Sequence, residues 1–549
     1  MGDELRGLVG RLRRRRAGAG ADAVLGLVAR HLAGRREALV VVLGPGRDDL
    51  VARARAIGPH WQVLRPDEDA GERLVALALA GPAEVVIDLP VADQGLRRFN
   101  AHFFQVAAGG IYVVPGAAGE LGPTPGPLGA FLAECWASDP KPLRAGKRSP
   151  TDSRRIAVRM HVTGRAEAGA LVLTHDLPDV LVKLDEPQGN AYLDRLGGPH
   201  RVLSVLAAET PPDARVITEG PEQREPAMDR PVAEAAIALR DYRGVVVDVE
   251  QTVMTDRVVL PDTFRHNQWH RLTTRRIADV APRFGVPMTP VPPDLPLLEG
   301  TYLHLDSEFR GHFGHLMTEV LSRMWSWPAA LEVDPDVRVL VGAARKRPEL
   351  AAWEYDFYAA CGIARDRIVR IDGQVRVERL LSGTPMFSNP NYVHPRIVET
   401  WDRVGDTLAA GADDRSRAER IFIARRITKR SCTNAEQVEG LFRSHGFHVV
   451  YPEDHPLGEQ VAMFRAARVV AGYAGSGMFT AAFVPHPQRL VLIGSAAYTP
   501  RNEVLIAAVR RHRVDSVVCR ADDADDVHSS FRVDLDREGP YLRSVLASL

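Results

Sequence analysis

An α/β protein assembled from several domains is what the sequence predicts, and three observations carry that expectation. Residues 38–115 alternate short apolar strand candidates with helical patterns. Residues from about 300 to 495 repeat the alternation in two successive sets, so two α/β sheets stand in tandem. Between these regions, from 151 to about 260, apolar and β-branched runs broken by proline-rich loops predict a β-rich stretch.

The elements justify this in order. ALVVVL at 38–43, WQVL at 61–64, EVVID at 84–88 and IYVV at 111–114 are short buried-strand candidates separated by Gly/Pro punctuation. Residues 116–150 are dense in Gly and Pro near both ends and predict a linker carrying one short helix. ALVL at 170–173 and VVVDV at 245–249 typify the β-rich stretch, and a proline cluster at 286–293 leads out of it. The first tandem set holds a helical motif at 311–325, a strand at 338–342, a helix near 349–361 and a strand at 367–371. In the second set come strands at 420–423, 447–451, 468–471 and 489–493, with helices from 434 and about 457. The expected domains are therefore 1–115, a linker 116–150, an intermediate region 151–260, and α/β domains 261–400 and 401–549. Two such sheets leave a cleft between them where a substrate is shielded from water.

Composition narrows the function. Seventy Lys and Arg balance seventy Asp and Glu, which argues against a nucleic-acid partner as a global property. Four scattered cysteines without a CxxC pair predict neither a disulfide framework nor a cysteine zinc site, and fit a reducing cytoplasm. The start, MGDELRGLVGRLRRRR, lacks the apolar core of a signal peptide, and no run of about 20 apolar residues is present. Arg11 and the run 13–16 leave peripheral contact with the inner face of a membrane open; homo-oligomerisation is equally open.

The second set carries the clearest chemistry. Arg425, Arg426, Lys429 and Arg430 place four cations within six residues after a strand, at the edge where α/β ligands bind, and arginine forks match phosphate oxygens. A capping box of Thr433 and Glu436 is expected to open the next helix, whose stripe of Val438, Leu441 and Phe442 faces a core. By spacing alone, a solvated charged loop would read the same way. The run VVAGYAGSGMFT at 469–480 is a buried strand, a glycine turn and an apolar helix, with Ser476 expected to cap the helix. Its pattern is GxxGxG rather than the dinucleotide GxGxxG, which disfavours a nicotinamide cofactor.

The motif at 311–325, GHFGHLMTEVLSRMW, spaces His312, His315 and Glu319 at i, i+3 and i+7 of an expected helix, with Arg323 one turn beyond Glu319. A metal site, a satisfied polar interface with Glu319 paired to Arg323, and acid–base chemistry all fit that spacing.

Taken together, Gly311, His312, Phe313, Gly314 and His315 with Glu319 and Arg323, then the run FIARR at 422–426, Asn434 with Glu436, Gly446 with Phe447, Glu459, Gln460 and Val461 with Phe464 and Ala467, and Gly475, Ser476 and Gly477 with Phe483 resemble glycosyltransferase family 61. The resemblance covers roughly residues 240–500. It implies a GT-B-like pair of Rossmann-like domains and an inverting, metal-independent transfer from a nucleoside-diphosphate sugar to a hydroxyl of a polysaccharide or natural-product acceptor. No cofactor beyond the donor substrate is implied. His312 is then the first choice as general base, with Glu319 the alternative base or its orienting group and His315 and Arg323 in orienting roles. Arg425, Arg426, Arg430, Asn434, Gly475, Ser476 and Gly477 are expected to bind the donor. The family commonly has a histidine before the glycine turn and an asparagine after it, where this chain has Ala474 and Thr480. That departure keeps an inactive glycan-binding or assembly scaffold as a rival reading.

Residues from about 25 to 115, with Gly44 and Gly46, Ile87 and Asp88, and the run AGGIYVV at 108–114, look like a class I methyltransferase core. The first loop lacks the acidic residue and full glycine set for S-adenosylmethionine, so a degenerate, structural or acceptor-docking domain is expected ahead of a live sugar methyltransferase.

Overall fold

The computed structural model describes residues 21–44, 48–66, 69–91, 94–144, 150–218, 230–265, 272–343, 349–412, 418–426 and 429–549. The basic run 11–16 and Gly46 lie outside the described residues. The chain is a mixed α/β protein that divides into two compact units: 1–201 with 245–247 and 252–296, and 202–244 with 248–251 and 297–549. Among the described residues no helix is long and apolar enough to cross a membrane, and the four cysteines are all free and buried.

In the first unit, strands Trp61–Leu64, Ala38–Leu43, Ala83–Asp88 and Val106–Pro115 lie parallel in that order. The sheet then continues with Ala170–His175 and Val162–Glu167, the former antiparallel to Val106–Pro115 and the two antiparallel to each other. Buried Val40, Val42, Val85, Ile87, Ile111 and Val113 form its core. The apolar runs are continuous rather than alternating because helices cover a parallel sheet on both faces. Residues 116–150 contribute helix Pro127–Ala137, which buries Leu128, Leu132 and Cys135. At the carboxyl edge of the sheet, Asp88 accepts from Arg98 Nε at 2.7 Å and from the Tyr112 hydroxyl.

The second unit is built on two larger sheets, beside a two-stranded one of Phe387–Ser388 and Tyr392–Val393. In one, Val375–Gly383, Leu297–His304, Arg338–Gly342 and Ile368–Ile371 are mutually parallel neighbours. The other has the order His448–Val450, Arg420–Ile423, Val469–Tyr473, Arg489–Ser495, Arg513–Cys519 and Arg215–Thr218, parallel throughout. Its last strand comes from the intermediate stretch. A single apolar core, including Leu303, Leu316, Phe357, Ile421, Val461, Phe483 and Leu490, serves both sets.

One expected local structure is replaced. The capping box of Thr433 and Glu436 does not form: the helix is Ala435–Ser444, and its N-cap is Asn434, which makes no side-chain cap bond. The Asn434 amide instead accepts from Val533 N at 3.0 Å and donates to Val533 O at 2.9 Å, clasping the backbone of the C-terminal segment. Because Asn434 is 8% exposed, its loss leaves two buried backbone groups unpaired. Asn434→Ala is expected to destabilise the protein by about 1–3 kcal/mol, read as a lowered denaturation midpoint; an unchanged midpoint would show that the clasp carries no stability.

Candidate functional site

The motif at 311–325 is not one regular helix. After α-helix Phe313–His315 come a π-helical turn over Leu316–Val320 and a 3₁₀ stretch over Leu321–Ser326, before α-helix Trp327–Val333. Hydroxyls drive this irregularity: Thr318 Oγ1 donates to Gly314 O at 2.9 Å, Ser322 Oγ to Glu319 O at 3.1 Å and Ser326 Oγ to Arg323 O at 2.6 Å. Side chains that bond to preceding carbonyls compete with the helical ladder, and single π turns often mark functional positions.

Glu319 pairs with His315, its i,i+4 neighbour, rather than with His312. Glu319 Oε1 lies 2.6 Å from His315 Nδ1, and the His315 ring stacks on Phe309 with centroids 4.4 Å apart. His312 meets His315 edge-on at 4.8 Å. Although His312 keeps contact with solvent, crowding by protein and then the charges of His315, Arg430 and Lys429 push its pKa down to about 4. Arg323 is buried and donates from Nη1 to Asp306 O at 2.8 Å; it thereby ties the motif to the end of strand Leu297–His304.

The glycine turn forms opposite. Gly475 has φ +140°, a conformation that disfavours any side chain, and it rather than Ser476 is the N-cap of the 3₁₀ helix Ser476–Phe483. Arg425 donates from Nη2 to Ala474 O at 2.7 Å and lies 5.4 Å from the Tyr473 ring. Arg430, itself at φ +54°, packs 4.0 Å over the Tyr498 ring. A Cβ on Gly475 would stand 3.5 Å from Arg430 Nη2 and 3.6 Å from Arg425 Nη2, so both guanidinium groups converge on the turn. Burial lowers the Arg425 pKa to about 10, helped by the Arg430 charge, which still leaves it cationic at neutral pH. The first amides of the helix, at Ser476 and Gly477, have no acceptor within it.

Two expected donor-site residues are not brought to the turn. Arg426 faces the opposite direction, paired with Asp454 and stacked 4.1 Å over Tyr451. Asn434 is engaged with Val533, as above.

What joins the two halves of the site is Gly314. A Cβ there would lie 3.0 Å from Ser476 Cβ, 3.3 Å from Phe479 Cε2 and 3.4 Å from His312 Cε1. The histidine motif thus packs directly on the glycine turn. One residue escaped the sequence reading altogether: Glu503, in the first turn of helix Arg501–Arg510, accepts from Gly475 N at 2.6 Å. No motif flags it, since a glutamate in the first turn of a helix is commonplace.

Residues 313–491 match the family model described as Glycosyltransferase 61, a span that includes His315, Glu319, Arg425, Arg430 and the glycine turn but stops short of Glu503. That glycosyltransferase domain makes the chain a glycosyltransferase enzyme. A search of curated proteins gave no match. Among the described residues, no group of three or more His, Cys, Asp or Glu side chains is arranged to hold a metal ion.

Gly314→Val is expected to force the motif off the turn, lowering stability by about 1–3 kcal/mol as overpacking does. Thermal unfolding checks it, and a wild-type melting temperature would mean that the contact yields without cost.

Proposed function

We propose that the protein transfers a sugar from a nucleoside-diphosphate sugar to a hydroxyl of a saccharide or small-molecule acceptor, with inversion and without a metal, through a GT-B-like pairing of the two sheets of its second unit. The observation that carries this reading is the packing of the His315–Glu319 pair, through Gly314, against a glycine turn flanked by Arg425 and Arg430.

The chemistry follows from that placement. Glu319 accepts the Nδ1 proton of His315, leaving Nε2 with the lone pair; a carboxylate in this position fixes tautomer and ring orientation. His315 is thus the better-held base, and His312, neutral at pH 7, sits toward the cations beside the leaving group. The acceptor hydroxyl gives its proton to His315 Nε2 as its oxygen attacks the anomeric carbon. The bond from that carbon to the diphosphate oxygen breaks, and the electron pair leaves with the diphosphate. Arg425, Arg430 and the amides of Ser476 and Gly477 stabilise the developing charge. The same reading places the reaction in the cytoplasm or at the inner face of a membrane.

For the first unit we infer a methyltransferase-like but non-catalytic domain. Four parallel strands followed by a reversed strand support the class. Against cofactor binding stands Arg98, whose Nη2 would be 3.6 Å from a Cβ on Gly44 while its guanidinium pairs with Asp88, so an internal ion pair occupies the strand ends. Calorimetric titration with S-adenosylmethionine tests this: micromolar binding would reverse it.

Mass-spectrometric screening against a panel of nucleotide sugars tests the transferase reading, and binding without turnover across the panel would favour the scaffold instead. With an active donor in hand, His315→Ala should lower kcat by roughly 10²–10⁴-fold, and Arg425→Ala by at least roughly tenfold. Arg426→Ala should stay within about twofold, as expected of an exposed pair remote from the turn. Equal losses at 425 and 426 would contradict the geometry.

A further inference from the structure

We propose that Glu503 is a positioning residue of the donor site: its carboxylate braces the glycine turn from behind and serves Arg425 and Arg430 as a resident counter-anion, which a bound diphosphate supplants while Glu503 takes up a proton from solvent. This rests on the donor reading above.

Geometry carries the inference. Glu503 is 2% exposed. Its Oε1 accepts from Gly475 N at 2.6 Å, while Oε2 is buried and has no hydrogen-bond partner among the described residues. On the other side of the same residue stand the two guanidinium groups, within 3.6 Å of where a Gly475 Cβ would be. The titratable groups facing Glu503 are Arg430 and Arg425 from the arginine loop and Tyr498 from the connection ahead of its helix. The glycine turn faces it with the Gly475 N–H, and in the strand beneath, Arg513 and Asp515 pair with each other. A buried carboxylate beside two arginines costs less than one alone, because their attraction offsets its lost hydration.

The direction of coupling follows. Burial raises the Glu503 pKa to about 7, against the pull of the Gly475 amide, Arg430 and Arg425. A diphosphate brings negative charge to those arginines, weakens their hold on the carboxylate and repels it. The carboxyl pKa therefore rises further on binding, a proton is taken up, and affinity falls as pH increases above about 7. Glutamine at 503 keeps an acceptor for the Gly475 amide but neither charge nor proton, so it separates bracing from electrostatics.

The experiment is isothermal titration of the full chain with UDP, GDP, dTDP and ADP from pH 6.5 to 8.5, in two buffers of different ionisation enthalpy. For whichever nucleotide binds, wild type should take up more protons than Glu503→Gln, and its affinity should fall about tenfold more across the range than the variant's. The nucleotide's own phosphate ionisation is common to both proteins and cancels in the difference. Binding with the same proton count and pH slope in both proteins would overturn the proposal while leaving the donor reading intact; no binding of any diphosphate by wild type would remove both. Should Glu503→Gln fail to fold, wild-type proton uptake in the two buffers still decides, since binding without uptake at pH 7.5 contradicts the proposal.

Discussion

The absence of two β-carbons is the constraint on which the site depends. At Gly314 the missing atom lets the histidine motif rest on Ser476 and Phe479; at Gly475 it lets a strained backbone pass between two guanidinium groups and a buried carboxylate. The two glycines set the distance between the His315–Glu319 pair and the arginines, and in a reacting site a misplacement of the order of 1 Å is enough to cost about 10²-fold in rate. Phe313, Phe357 and Phe483, with centroids 5.9 Å apart at each step, hold this approach from the apolar side. The contact between the two tandem sets is therefore packed and not merely electrostatic.

Electrostatics then decides what the packed site prefers. Arg425 and Arg430 repel one another, and burial of Arg425 adds to the cost, yet a pKa of about 10 keeps it charged. A partly buried cation pair of this kind persists only with compensation. The Ala474 carbonyl, the Tyr473 and Tyr498 ring faces and Glu503 supply it. Every one of these partners is weaker than a bidentate diphosphate would be. On the donor reading proposed above, such an arrangement is preformed yet weak enough to exchange with a diphosphate.

Much of this was legible in the sequence because it depends on short-range patterns. Strands 38–43, 61–64, 338–342 and 420–423 were given by apolar runs with clear punctuation, and helix Leu457–Ala466 began where its pattern did. The convergence of the arginine loop with the glycine turn followed from their positions at neighbouring strand ends. Side-chain direction was not legible. Arg425 and Arg426 are adjacent, and only the pull of Asp454 and Tyr451 sends one outward. Asn434 sits where a donor ligand would be useful but meets Val533, ninety-nine residues away. The π turn over Leu316–Val320 goes with hydroxyl bonds and with Met386 N donating to Ser322 O, a contact with no local trace.

The two departures from the family pattern can be weighed on the same grounds. Ala474 anchors Arg425 through its carbonyl, a group that every residue carries, and its methyl is directed at Gly494, where a Cβ would come within 3.0 Å. Thr480 is 1% exposed, in the interior of the 3₁₀ helix. Neither replacement withdraws a guanidinium, a turn amide or the His315–Glu319 pair. What alanine removes, relative to a histidine, is bulk and a titratable ring in the residue that precedes Gly475. The two departures therefore leave in place the groups that converge on the glycine turn.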